Sequence, residues 1–410
     1  MRRFGALLLC LIMLFTLASC SKKGANGSGK PADYGTYGAD IARKIAKDYP
    51  YRKAFTSSEN EAGAFIKKEF EKLGYKVETQ SFGGTYGGDS YNYIVHIEGS
   101  GFVEVADNGD TKEIRRKVVI GAHYDSAFSA DQVPEDRTYD GISDNASGVG
   151  CLLTLAKELK QCGDLAFDID LVAFGAGCSE YAGARKYVES LSSDDLEEIE
   201  VMYCISNIYA GDKVYASSGL NSLDRSQKYK MRRKLYQAYD VAYNDMLASV
   251  NGFYLYYNES NIVTDINGDG EDDIYREVSV NKSDYTPFDE KNVPIVFFDS
   301  GDYFFDSLEK TKETKNLTLQ EFDGKISGTF LDSSAILDEV QVTEDKDLLE
   351  IRINNIAYCI IGSLQKGSDF GLTHEQYEES LRSITTEPSE TSKGKKKTED
   401  KASETSETQK

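Results

Sequence analysis

Three histidines, His96, His123 and His374, are all that the 410 residues contain. Imidazole is the side chain on which metal and acid–base chemistry leans most, so the surroundings of these three limit what the chain can do. His123 stands in Gly-Ala-His-Tyr-Asp-Ser, directly after the apolar run Lys117 to Ala122. Asp125, two residues on, is placed to orient an imidazole. Further along come Ser143-Asp144-Asn145-Ala146-Ser147-Gly148, then Gly175-Ala176-Gly177-Cys178-Ser179-Glu180, Ser206-Asn207 and Ser283-Asp284-Tyr285. One His and several carboxylates gathered at strand ends are the material of a hydrolytic zinc site. Taken alone, a His-x-Asp phrase fits a hydrogen-bonded loop better.

The elements that must position these residues alternate. Apolar residues at helical spacing mark helices over 41–49 and 59–73, and alternation marks strands over 76–82 and 91–97. Continuous apolar runs at 117–122, 167–174, 201–205 and 293–298 read as strands covered on both faces. Helices are expected at 148–159, 181–191 and 348–364, with a long charged helix over 224–247 and a β-hairpin within 251–280. Strand and helix in alternation imply a mostly parallel sheet sandwiched between helices, whose function collects at the carboxyl ends of the strands.

The phrases GAHYDS, DNASG, FGA followed by GARKYV, and SDY followed by VPIVFF resemble, in order and wording, metallopeptidase family 28, the co-catalytic di-zinc aminopeptidases. The resemblance spans roughly Gly38 to Ser300 and the final helix. It implies a phosphorylase/hydrolase-like three-layer α/β/α sandwich, here with a helical and β-hairpin insertion at about 212–282. It also implies two zinc ions bridged by an Asp, with a Glu as general base. Carried over residue by residue, His123 is a zinc ligand with Asp125 as its orienting neighbour, and Asp144 is the bridge. The other positions are degenerate. The base Glu falls on Gly177, its neighbouring Glu ligand on Cys178, the second Asp on Ser206 or, with a slip of one, Asn207, and the final His on Tyr285. His123 and Asp144 could hold at most one weak ion, and loss of a general base removes a contribution of about 100- to 10,000-fold in rate. Two rescues stay open, a single-metal site of His123, Asp144 and Cys178, and a base role for Glu180. The reading that follows is a non-catalytic homologue keeping its cleft for a peptide or protein ligand. The alternative is an active zinc aminopeptidase or related hydrolase with a non-standard or single-metal site.

A second metal candidate is Asp265-Ile-Asn267-Gly-Asp269-Gly-Glu271-Asp-Asp273, with oxygen ligands at the first, third, fifth and ninth positions and Gly at the sixth. That is the front of a calcium loop. Arg276 stands where an EF-hand needs its bidentate Glu, so a short calcium-binding hairpin tip is expected.

Composition and chain ends set the context. Lys+Arg 47 against Asp+Glu 69 gives a net charge of -22, which excludes nucleic acid as a partner because no basic stripe offers counterion release. Arg2, Arg3, the apolar stretch to Thr16 and Leu17-Ala18-Ser19-Cys20 resemble a bacterial lipoprotein signal, with residues 1–19 removed and Cys20 carrying the lipid on the outer face of a membrane. Residues 20–33 read as a tether, 34–384 as the folded domain and 385–410 as a disordered tail. Cys151, Cys162, Cys178, Cys204 and Cys359 read as buried thiols with at most one or two disulfides.

Overall fold

The computed structural model describes residues 34–386, apart from 35, 85, 86, 164, 225, 261, 267–269, 271, 305 and 306. The signal, Cys20, the tether and the calcium-loop residues Asn267, Asp269 and Glu271 lie outside the described residues. An eight-stranded sheet runs in the order β1-β2-β6-β5-β7-β12-β8-β9. Its strands are β1 (Val77–Gly83), β2 (Asp89–Ile97), β5 (Lys117–His123), β6 (Asp168–Phe174), β7 (Ile199–Ile205), β8 (Lys213–Ser217), β9 (Leu255–Tyr256) and β12 (Ile295–Gly301). Two hairpins stand apart from it, β3 (Phe102–Val105) with β4 (Thr111–Ile114), and β10 (Val263–Thr264) with β11 (Asp273–Ile274). The central four strands, β6, β5, β7 and β12, are parallel. β2 and β8 flank them antiparallel.

Both faces of the central strands are apolar, as their continuous hydrophobic runs require. Val118, Ile120 and Ala122 of β5 face one core with Val201, Tyr203 and Ile205 of β7 and Val296 and Phe298 of β12. Val119, Met202, Cys204, Ile295 and Phe297 face the other. Helices α1 (Tyr37–Asp48), α2 (Ser57–Lys72), α3 (Ser147–Leu159), α5 (Lys228–Asn244) and α6 (Leu348–Gln365) cover the first face. Helix α4 (Ala182–Glu189) and the short helix Thr286–Asp289 cover the second. Glycines let α1 and α3 cross at backbone distance. A Cβ on Gly38 would lie 2.6 Å from the Gly150 carbonyl oxygen, and one on Gly150 would lie 2.3 Å from that of Gly38.

The structure departs from the sequence reading in three places. β8, a strand of the eight-stranded sheet, lies inside the segment read as an insertion from 212. The last described helix, α7 (His374–Thr386), was not expected and runs two residues into the segment read as tail. The β3–β4 hairpin was also not expected, and its Val103 bridges to Leu372 just before α7. All five described cysteines are free thiols, and Cys178 is exposed. No helix among the described residues is long and apolar enough to cross a membrane.

Candidate metal centre

His123 ends β5, buried among the loops after β5, β6 and β7. Three buried groups pin those loops. Arg52, 0% exposed, donates from Nε to the Tyr124 carbonyl at 2.7 Å, and from its two Nη atoms to the carbonyls of Asp140 and Gly141 at 2.7 and 2.6 Å. Asp332 accepts from the backbone N–H groups of Ser143 and Asp144 at 2.8 and 3.1 Å. Asn145 donates to the Ile205 carbonyl at 2.9 Å and accepts from the Asn207 N–H at 3.0 Å. Sequence chemistry dictates this wiring, since irregular backbone can be buried only where side chains satisfy it.

The imidazole of His123 lies between carboxylates. Its Nδ1 is 3.1 Å from Asp125 Oδ1, and its Nε2 is 3.2 Å from Asp144 Oδ1. Ser206 Oγ lies 3.4 Å from the same Nε2. Asn207 turns away to Ser143 and Glu313, so Ser206 is the residue of that strand end that faces the site. Asp125, fully buried, accepts from the N–H groups of Gly177 and Cys178 at 2.7 and 3.0 Å. His123, Asp125 and Cys178 each bring one ligand-type atom within 4.8 Å of the other two. Burial alone would favour neutral imidazole. The charge of Asp284 and the hydrogen bonds with Asp125, Asp144 and Cys178 outweigh it and raise the His123 pKa well above its ordinary value. Cys178 shows part of its surface to solvent, yet its sulfur is enclosed enough that burial, aided by Asp125, pushes the thiol up.

At two of the positions read from the sequence as degenerate, packing leaves no room for a ligand side chain. A Cβ on Gly177 would stand 2.3 Å from His123 Cβ and 2.5 Å from its Cγ, so the imidazole occupies the space a side chain there would need. Tyr285, 2% exposed, is turned into the second core, its ring 5.0 Å from that of Phe297 and its hydroxyl donating to the Asn281 carbonyl at 2.5 Å. Glu180 is exposed and makes no hydrogen bond or ion pair with His123, Asp144 or Cys178 among the described contacts.

The sequence reading missed Asp284. It is 0% exposed, neither carboxylate oxygen has a hydrogen-bond partner, and it is near enough to His123, Asp125 and Asp144 to feel their charges. Burial raises its pKa to about 6, with the His123 charge opposing. The signal was its place in Ser283-Asp284-Tyr285, beside the position on which the family pattern fixes attention. A half-buried aromatic wall of Phe128, Phe330 and Phe322 adjoins the site through Tyr139, whose hydroxyl feels the charges of Asp332, Cys178 and Asp144. At the hairpin, Val263 pairs with Ile274 and Thr264 with Asp273, and the Gly270 N–H donates to Asp265 Oδ2 at 2.9 Å.

The residues do not fit a bridged pair of zinc ions. Of the positions that the resemblance would make ligands, His123 and Asp144 carry ligand side chains of the expected type. Cys178 offers sulfur to one ion, Ser206 a neutral hydroxyl, and Tyr285 nothing.

The chain matches Peptidase family M28 over residues 104–321. It is similar to the alkaline phosphatase isozyme conversion protein of Escherichia coli, at 26% identity over 216 residues. That match covers 51% of this chain and 60% of that protein, so it spans well under the relative's full length. A glutaminyl cyclase from an Acidobacteriales bacterium superposes with a TM-score of 0.54 at 16% identity, over 85% of this chain and 100% of that one. The zinc aminopeptidase BSAP from Bacillus subtilis gives 0.52 at 12% identity, over 83% and 98%. At such identities the structural likeness is one of fold.

Proposed function

Because the chain belongs to peptidase family M28, we propose that it keeps the family's cleft as a binding site for peptide ends and no longer hydrolyses them. The observation that carries this is the Cβ position of Gly177, 2.3 Å from His123 Cβ. A side chain at the position where the resemblance places the general base would collide with His123, and neither Asp125 nor Glu180 stands in for it. Asp125 is engaged by two backbone N–H groups, and Glu180 is exposed. The acidic pocket suits a cationic peptide amino group, and the wall of Phe128 and Phe330 suits an apolar first residue. An anchor on Cys20 would hold this cleft at the outer face of a bacterial membrane, with the lipid supplying the attachment because the acidic body is repelled by anionic headgroups.

The deciding experiment is an aminoacyl-nitroanilide assay of the purified chain with and without added zinc, alongside peptide binding by calorimetry. Binding without turnover is expected, and chelator-sensitive turnover would overturn the proposal. A single-metal hydrolase is the second reading, and the unpartnered carboxylate of Asp284 is what favours it. The hairpin at 265–273 is proposed to take calcium and to stiffen the insertion without chemical work, supported by its ligand spacing.

A further inference from the structure

We infer that β9, the uncharged outer edge of the eight-stranded sheet, pairs antiparallel with β9 of a second copy of this chain and closes a two-fold dimer. This pairing is independent of what the His123 site binds. The sheet ends in two different ways. β1 lies at one edge and carries Glu78, whose side chain is 59% exposed. Charge on an edge strand deters foreign strands. β9 lies at the other edge, and among the described residues no strand pairs with its outer side. The segment that holds it, Asn251-Gly-Phe-Tyr254-Leu-Tyr-Tyr257-Asn258, has no charged residue and no proline in a chain that is 28% charged. Its extended backbone therefore presents unpaired groups with nothing in the segment to repel a partner.

The side chains along this edge are laid out for contact. Tyr256 leans on Tyr215 of β8, their ring centroids 5.9 Å apart, and Tyr254 lies 6.1 Å from Tyr256. Tyr215 is backed in turn by buried Tyr303 at 4.6 Å, so the two outer rings stand on a fixed stack. Tyr257 meets Tyr239 of α5 edge-on at 5.9 Å. Tyr254, Tyr256 and Tyr257 are exposed, as are Tyr243 and Met246 at the end of α5 and just past it. These are five of the thirteen large apolar side chains exposed among the described residues, gathered between 243 and 257. Such a concentration marks a contact surface, whereas single exposed apolar residues need no explanation. Tyr and Met are also types that protein interfaces favour.

The occupant is a second copy because the segment complements itself. A two-fold axis through Leu255 sets Tyr254 of each copy opposite Tyr256 of the other, an aromatic cross-strand pair of the kind that stabilises antiparallel strands. The same register sets Gly252 opposite Asn258 and Asn251 opposite Glu259. A cation stands at the first end: Lys346 Nζ is 3.9 Å from where a Cβ on Gly252 would lie, and no atom of Glu344 or Asp345 comes within 4 Å of that point. Glu259, exposed, closes the other end. Antiparallel pairing therefore brings Lys346 of each copy beside Glu259 of the other, twice by symmetry. A parallel pairing brings neither contact. With a net charge of -22, two copies repel across most of their surface, and an uncharged edge flanked by this pair is where they can meet.

The test is the association state of the full chain, read by sedimentation equilibrium over a concentration series. A reversible monomer–dimer equilibrium is expected. Tyr254→Lys, at an exposed residue, should weaken it about 10-fold or more. Val105→Lys, exposed on the separate β3–β4 hairpin, should leave it unchanged. Reversal of charge is the decisive arm. Glu259→Lys and Lys346→Glu should each weaken the dimer, and the double variant should restore it, a recovery that misfolding does not imitate. A dimer insensitive to Tyr254→Lys, single reversals that the double variant does not repair, or assembly beyond two copies would overturn the inference. So would a monomer throughout the series, whether or not an extended peptide then binds the edge. None of these outcomes bears on peptide binding or turnover at His123.

Discussion

At Gly177 the space that any side chain would need is already taken. His123 has settled into the space beside it, so restoring a residue there is a steric problem before it is a chemical one. Gly177→Ala is expected to lower stability by about 1–3 kcal/mol, the range for overpacking, measured by urea unfolding. Gly177→Glu should yield no aminopeptidase activity. Arg52→Met should cost about 3–5 kcal/mol by removing the donors that reach the carbonyls of Tyr49, Tyr124, Asp140 and Gly141, and it should raise protease sensitivity at the Asp140–Gly141 loop. The sequence reading placed losses at 177, 178 and 285 as changes of residue type inside recognisable phrases, and at 206 or 207 from a poorer one. It could not show that Ser206 faces His123 while Asn207 turns to Glu313, since that follows from backbone direction at a strand end. Nor could it single out Asp284, whose significance lies in the partners it lacks.

At the scale of elements, the continuous apolar runs located β5, β6, β7 and β12 because burial on both faces leaves no polar period to confuse them. β8 was hidden. Five residues, Lys-Val-Tyr-Ala-Ser, take their strand identity from pairing antiparallel with β12 some eighty residues later, and no local pattern encodes such a partner. The α1–α3 crossing is a similar long-range fact, carried by two glycines. Gly38→Ala should destabilise by about 1–3 kcal/mol, since its Cβ would lie 2.2 Å from Thr154 Oγ1. A Gly→Ala change at exposed, contact-free Gly109 should cost no more than its left-handed backbone demands. The 265–273 hairpin gives the remaining prediction of this scale: calcium should raise the melting temperature, and Asp269→Ala should abolish the rise.

Across the whole molecule, buried charges set opposing responses to pH. Asp299 is buried among Tyr303 and Asn281, and burial raises its pKa to about 7. An acid whose folded pKa lies above its unfolded value near 3.8 gives stability that is complete in acid and lost as pH rises toward 7. Lys234, buried in α5 with Nζ donating to the carbonyls of Ser363 and Gly367 at 3.0 and 2.7 Å, is pushed down to about 7 by burial. A base held below its unfolded value near 10.5 has the opposite sign, and stability rises as pH climbs from 7 toward 10.5. Together the two groups predict a minimum of stability near neutral pH, the acid arm about 4 and the alkaline arm about 5 kcal/mol at most. Asp299→Asn should flatten the acid arm and Lys234→Met the alkaline arm, read from urea midpoints across pH. The glycine crossing also links distant parts of the chain: Gly38 of α1 packs on Gly150 of α3, and α3 begins three residues after Asp144, so the position of α1 bears on the loop that carries Asp144.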